Sequence, residues 1–187
     1  MASGVKGLDE VMIRLNVELK RIHTLSTQGL IQAAIHVRRE TETVAPVTPV
    51  DLGNLRAIWF VVSTLGQAED TVGSGTFRNR PGSKENLAQR LRADHNAYVQ
   101  AAMTEVNMRK QPMVIMGYSA FYAAIVHEMI WQDFSGAWRK NKRGGGGGSR
   151  NAGPKWLEIA IKRNKKKIVS IVAGRIRPMY MTKITKR

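Results

Sequence analysis

The spacing of apolar residues predicts a long helix at the start of the chain. Apolar side chains recur every three or four residues, which places them on one face of a helix. The positions are Leu8, Val11, Leu15, Leu19 and Ile22, then Leu30, Ala34, Val37 and Val44. We expect a helix over residues 8–44, broken or bent near 24–29, with one face of each part packed on a core. Pro46 and Pro49 close it, because proline disfavours helix in the residue before it.

The middle of the chain alternates between strand and helix patterns. Residues 55–65 are rich in aromatic and β-branched side chains and predict a buried strand. Residues 66–82 are polar and glycine-rich and predict a loop or loose hairpin. A helix is expected over 84–109, with Ser83 as its N-cap. A short second strand is expected over 113–116, and the apolar run 121–131 fits either a helix or a strand.

A glycine spacer separates the last helix from the rest. Residues 144–148 are all glycine, and Pro154 suits the first position of a helix over 154–176. Residues 177–187 fit an edge strand or a basic tail. We therefore expect an α+β fold, a small antiparallel sheet backed by a long N-terminal and a C-terminal helix. The expected divisions are a core domain at 1–138 with a helical insertion at 66–112, a flexible basic linker at 139–153, and a C-terminal helix and tail at 154–187 that packs on the core.

The charge of the chain is concentrated in its C-terminal quarter. The chain has 30 Lys and Arg against 14 Asp and Glu, a net charge of +16, and residues 139–187 contribute 16 − 1 = +15 of it. Such asymmetry favours a polyanion or an acidic partner, although a solvated face plus a tail would look the same. The candidate contact residues are Arg139, Lys140, Lys142, Arg143, Arg150, Lys162, Arg163, Lys165, Lys166 and Lys167.

Composition and motifs give no positive case for an enzyme. The chain has no cysteine, which excludes disulfides, thiolate metal sites and a cysteine nucleophile. His127-Glu128 lacks the second histidine of a zinc-protease helix, since position 131 is tryptophan. The glycines at 73 and 75 lack the strand and the Lys-Ser/Thr pair of a phosphate loop. We expect no enzymatic activity, no cofactor and no metal. No membrane span or signal peptide is expected either.

The most specific stretch of the sequence runs over residues 45–59. Ala45-Pro-Val, a few residues, then Leu52-Gly-Asn-Leu-Arg56 resembles the "Ala-Pro-Val … Thr-Gly-x-Leu-Arg" signature of the tailed-bacteriophage neck family, the tail-completion, head–tail joining or minor capsid proteins. Three other segments resemble parts of that family in the same order: Gly7-Leu-Asp9 at the start of the first helix, residues 114–128, and residues 153–160 in the last helix. The matching positions are Ala45, Pro46, Gly53, Leu55, Arg56, Tyr118, Ala120 and Glu128. The chain departs from the family at Leu52, in lacking Gly-Thr after Glu128, and in the length of 66–112.

The resemblance implies a mechanical role in the virion. Members of such a family would form a homo-oligomeric ring in the neck, between the portal or connector and the tail proteins, around the DNA channel. The protein would be assembled in the host cytoplasm. Phe121, Tyr122 and Trp131 are candidate subunit contacts, although the same apolar segment could equally be core. The basic region could face packaged DNA or an acidic neighbour.

A second hypothesis needs only the charge. The chain could be a non-enzymatic protein that binds nucleic acid through its basic C-terminal region, independently of base sequence. It lacks the stacking platform common in such proteins, because Trp156 and Tyr180 are the only aromatic residues after 138.

Overall fold

A three-stranded antiparallel sheet lies between two helices in the computed structural model, which describes residues 8–50, 52–67, 76–79, 81–82, 84–130 and 151–184. The strands are β1 (Trp59–Ser63), β2 (Gly66–Gln67) and β3 (Val114–Tyr118), in the order β2-β1-β3. Trp59 lies opposite Tyr118, and Ser63 opposite Val114. Together with the helices, this sheet confirms the predicted α+β class.

The first helix, α1 (Leu8–Thr43), is continuous over 36 residues. Of the two alternatives expected near 24–29, a break or a bend, the break does not occur. Thr27 is accommodated within the helix because its hydroxyl donates to the His23 carbonyl oxygen at 3.0 Å, and it also lies 3.2 Å from the Thr64 hydroxyl of the β1–β2 turn. The polar residues at the expected break therefore attach the helix to the sheet.

Each face of the sheet packs on a different helix. Side chains alternate along β1, so Trp59 and Val61 face Ala34 of α1. Phe60 and Val62 face the opposite way and pack on the helix α3 (Leu87–Asn107). All five residues of β1 are buried, which explains the continuous apolar run in its sequence.

Helix α3 begins later than its predicted start at residue 84. The Asn86 side chain accepts a hydrogen bond from the Gln89 backbone N–H at 3.2 Å, so Asn86 is the N-cap. The predicted cap, Ser83, lies outside the described residues. The segment 66–112 was expected to be a helical insertion, and its helix α3 covers one face of the sheet. We conclude that α3 is part of the core.

Two short helices lie where the sequence predicted a strand or left a strand possible. The helix α2 (Asn54–Ala57) occupies the start of the stretch 55–65, so β1 is shorter than predicted. The apolar run 121–131 contains the helix α4 (Ala123–Glu128), which settles the choice left open between helix and strand.

The last helix, α5 (Trp156–Ile184), packs antiparallel on α1. Arg163 of α5 lies beside Glu40, whereas Arg175, three turns later, bonds to Gln32. The two helices approach most closely at Gly29, where an added Cβ would lie 2.9 Å from the Val172 Cα. Helix α5 continues to Ile184, so an edge strand over residues 177–184 is excluded. Its main support is α1.

The N-terminal arm of α1, which we define as residues 9–21, differs from the prediction. Its apolar side chains were expected on a core, yet they are exposed, and buried positions begin only at Thr27. The periodicity correctly predicted a helix there. It could not tell whether another part of the chain covers that face.

Candidate functional site

The signature segment 45–59 turns the chain from α1 into the sheet. The Ala45–Pro46 peptide bond is cis, and Gly53 has a φ of 82° before the first turn of α2. That backbone conformation is accessible to glycine at little cost, which explains a glycine between Leu52 and Asn54. Leu55 then enters the core beside Trp156 and Ala120. The residues of the signature therefore form a structural connection.

A buried hydroxyl cluster fixes this connection to the sheet. The Tyr118 hydroxyl lies 3.0 Å from the Thr41 hydroxyl and 3.3 Å from that of Thr48. The Thr48 backbone N–H donates to the Thr41 carbonyl oxygen at 2.7 Å. Burial raises the pKa of Tyr118, so its hydroxyl stays protonated and able to donate. Tyr118, the last residue of β3, thus links the end of α1 and the segment that follows it to the sheet.

The same connection holds the chain that leads into α5. Val47 forms a parallel bridge with Ala152, and its backbone N–H donates to the Asn151 carbonyl oxygen at 2.8 Å. A Cβ added at Gly153 would lie 2.9 Å from the Pro46 Cβ. Pro46 and Gly153 can pack this closely because glycine has no side chain. The segments that carry the family resemblance therefore meet at one place, which we call the junction (residues 45–48, 118 and 151–156).

Two further positions that match the family, Arg56 and Glu128, make polar contacts around the junction. The Arg56 guanidinium donates to the Thr48 carbonyl oxygen at 3.3 Å. Glu128 forms an ion pair with the Lys155 ammonium. Its second carboxylate oxygen lies 2.8 Å from His127 Nδ1. The hydrogen bond from Lys155 lowers the pKa of Glu128 below its usual value. Glu128 therefore fixes α4 against the start of α5.

The three candidate subunit contacts have different surroundings. Phe121 is 42% exposed, and the guanidinium of Arg90 lies 3.9 Å from its ring centroid. Tyr122 is half-buried and packs edge-on against Phe121. Trp131 lies outside the described residues. Of the two that the structure describes, Phe121 is the more available to a neighbour.

The basic residues of α5 fall into two groups. Lys162 pairs with Glu158 at 2.5 Å, and Arg163 pairs with Glu40 at 3.3 Å, so both have partners within the chain. Lys165, Lys166 and Lys167 are exposed, and none pairs with an acidic residue in the described part of the chain. These three we call the lysine cluster. The other five candidates, at 139, 140, 142, 143 and 150, lie outside the described residues.

His95, which the sequence suggested to be a solvated or core-edge residue and not a metal ligand, is buried in the core. His95 Nδ1 lies 2.8 Å from the Ser119 hydroxyl, which donates to the Ile58 carbonyl oxygen at 3.2 Å. Ser119 therefore accepts from a protonated Nδ1. Burial lowers the pKa of His95, which favours the neutral ring. Its place on the buried stripe of α3, four residues after Leu91 and four before Val99, was the sequence signal for a core position.

Comparisons with known proteins add no relative. No family model, curated protein or solved structure matches the chain. Within the described residues, no group of three or more His, Asp or Glu side chains is arranged to hold a metal ion. No helix in that part of the chain combines the length and apolar character needed to cross a membrane.

Proposed function

We propose that this protein is a structural subunit of a tailed-phage virion neck, where copies form a ring that joins the portal side of the capsid to the tail. The proposal starts from the signature at 45–59. Its main support is that three segments resembling the neck family, at 45–59, 114–128 and 153–160, are distant in sequence and pack together at the junction. A mechanical role also suits a chain whose signature residues hold secondary structure elements together.

The proposed subunit contact includes Phe121 and Tyr122. A ring is built from heterologous contacts, so one surface of each subunit must fit a different surface of the next. Phe121 is partly exposed beside Arg90, and aromatic and arginine residues are enriched at protein interfaces. Phe121→Ser should weaken ring formation without unfolding the chain, because the side chain already contacts solvent.

The test is particle imaging combined with mass measurement. Negative-stain images of the purified chain should show closed rings of one size, and immunogold labelling should locate the protein at the head–tail joint of virions. Phe121→Ser should lower the fraction of rings at least severalfold, whereas Val169→Ser, at an exposed position on α5, should leave it unchanged. Images without rings, combined with virions that carry no label, would refute the proposal.

A second candidate function is sequence-independent DNA binding by the lysine cluster. Its support is three consecutive exposed lysines without an acidic partner among the described residues, on a helix that carries a single acid, Glu158. Adjacent like charges repel one another, and phosphate groups would relieve that repulsion. DNA in a neck channel would make this function compatible with the ring.

A matched pair of charge reversals tests DNA binding. The variant Lys165→Glu/Lys166→Glu/Lys167→Glu should bind DNA more weakly. Its plot of log affinity against log salt should be less steep by about 0.9 for each lysine that no longer neutralises a phosphate, up to about 2.7. The control is Lys84→Glu/Arg92→Glu/Lys110→Glu, which makes the same charge change at exposed positions near α3. If both variants lost DNA affinity equally, binding would depend on the net charge of the protein and not on the lysine cluster.

A further inference from the structure

The N-terminal arm presents an exposed apolar stripe. Val11, Leu15 and Leu19 follow one another at four-residue steps and are 61%, 51% and 53% exposed. Continued along α1 at helical spacing, the stripe leads to Gly29 and Glu40, which contact α5. The stripe therefore continues the same face of α1 that packs on α5 farther along. An exposed stripe of this kind marks an interaction surface.

The apolar stripe of the arm is symmetric about Leu15. When two copies are aligned antiparallel about residue 15, Val11 of each copy lies opposite Leu19 of the other. Leu15 lies opposite its equivalent in the second copy. Every layer of the stripe then joins two apolar side chains, as the packing of an antiparallel helix pair requires.

The charges of the arm favour the antiparallel orientation. The tip carries Asp9 and Glu10, and the base carries Lys20 and Arg21. Antiparallel alignment places the acidic tip of each copy alongside the basic base of the other, whereas parallel alignment places like charges side by side. The helix dipoles are also opposed in the antiparallel pair. Both the apolar and the charged residues of the arm therefore fit a second copy of the chain.

We propose that the N-terminal arm pairs antiparallel with the arm of a second copy, forming a two-fold symmetric dimer centred on Leu15. The arm is 13 residues long, so two fully overlapped arms would form a contact about 20 Å long at 1.5 Å per residue. This contact is isologous and joins two copies only. It is separate from the heterologous contact that a ring needs, and it goes beyond the proposed neck function.

Disulfide trapping tests the pairing directly, because the chain has no cysteine of its own. Leu15→Cys should form a covalent dimer under mild oxidation. Val11→Cys alone should not, since residues 11 in the two copies would be about 12 Å apart along the axis, beyond the reach of a disulfide. A mixture of Val11→Cys and Leu19→Cys should form the mixed dimer. Val169→Cys, at an exposed site on α5, is the control for random collision.

Reversible association gives an independent readout. In sedimentation over a range of concentrations, the Phe121→Ser chain, whose ring contact is weakened, should approach twice the chain mass of 20.9 kDa, and the arm variants are compared in that background. Leu15→Lys should raise the dissociation constant at least tenfold with unchanged helix content by circular dichroism, and Val169→Lys should have no effect. The charge variants Asp9→Lys/Glu10→Lys and Lys20→Glu/Arg21→Glu should each lose self-association, and a mixture of the two should recover it.

Several outcomes would overturn the proposal. Leu15→Cys that cross-links no faster than Val169→Cys would show that the arms do not meet. Efficient self-linking of Val11→Cys would show a parallel pair. A dimer whose stability is unaffected by Leu15→Lys would lie on another surface. None of these readouts depends on ring formation, so a chain without rings can still satisfy them, and a ring-forming chain can still fail them.

Discussion

The Tyr118 hydroxyl offers the sharpest test of how the junction is held together. Tyr118→Phe removes one oxygen and leaves the ring, including its edge-on contact with Trp156 at 6.1 Å between centroids. Both threonine hydroxyls near Tyr118 already donate to backbone carbonyls: Thr41 to Arg38 at 2.7 Å and Thr48 to Thr41 at 3.1 Å. The threonine oxygens therefore act as acceptors for the single tyrosine proton.

The geometry sets the size of the effect. One hydrogen bond is removed, and no buried donor is left without a partner, so the cost should be near the ordinary net value of about 1 kcal/mol. For a chain of this length, that corresponds to a fall in Tm of about 2–4 °C. The Thr41 contact at 3.0 Å is shorter than the Thr48 contact at 3.3 Å. We expect the larger coupling energy between Tyr118 and Thr41.

Urea unfolding followed by tryptophan fluorescence provides the assay. Double-mutant cycles that combine Tyr118→Phe with Thr41→Val or Thr48→Val measure the two couplings. Tyr98→Phe, at an exposed tyrosine on α3, is the control. A Tyr118→Phe cost below about 0.3 kcal/mol would contradict a buried, hydrogen-bonded hydroxyl, and a cost above about 3 kcal/mol would mean that a threonine had depended on it as acceptor.

The dependence of stability on alkaline pH provides a second test of Tyr118. Because burial raises the pKa of Tyr118, the unfolded chain loses the phenolic proton near its ordinary pKa of about 10 while the folded chain keeps it. The stabilisation is therefore complete below that pH and decreases as the pH rises through the folded-state pKa. Tyr118→Phe should show a shallower alkaline loss than both the wild type and Tyr98→Phe, and an unchanged slope would refute the reasoning.

Three further predictions concern close packing, backbone conformation and pH. Gly29→Ala should lower the free energy of unfolding in urea by about 1–2 kcal/mol, because the added Cβ would lie 2.9 Å from the Val172 Cα. The better helix propensity of alanine acts in the opposite direction, so a gain in stability would contradict the close approach of α1 and α5. Gly53→Ala should cost about 1–2 kcal/mol through the positive φ alone, since nothing lies within 4 Å of an added Cβ, and Gly53→Asn should cost less in the same assay. Because the pKa of His95 is lowered in the folded chain, the free energy of unfolding should fall as the pH drops below about 6.5. His95→Asn should lack this part of the pH dependence. An identical fall in stability with acid in both chains would refute the prediction.

The junction also shows how a short motif can be structural without being a binding site. Thr48, Arg56 and Tyr118 bond to one another or to nearby backbone, and Leu55 lies in the core. Substitutions there should act through folding. Effects on assembly without loss of stability are instead expected at Phe121 and Leu15, which are exposed.

Local patterns determined most of the secondary structure. The three- and four-residue periodicity of α1 and α3, the aromatic and β-branched run of β1 and the glycine after Leu52 each reflect a preference that acts within a few residues. Element boundaries were less accurate because caps decide them: Asn86 and Ser83 are both good N-cap residues by type, and the position of the first turn selects Asn86.

Tertiary structure decided which of those faces find a partner. Equal periodicity at Leu15 and Val37 gives an exposed residue in one case and a buried one in the other, because the sheet and α5 cover only the later part of α1. The same holds for charge, since Arg163 meets Glu40 on α1 whereas the lysine cluster remains exposed. A sequence records which side chains favour burial or pairing, but contacts between residues more than a hundred positions apart depend on how the whole chain packs.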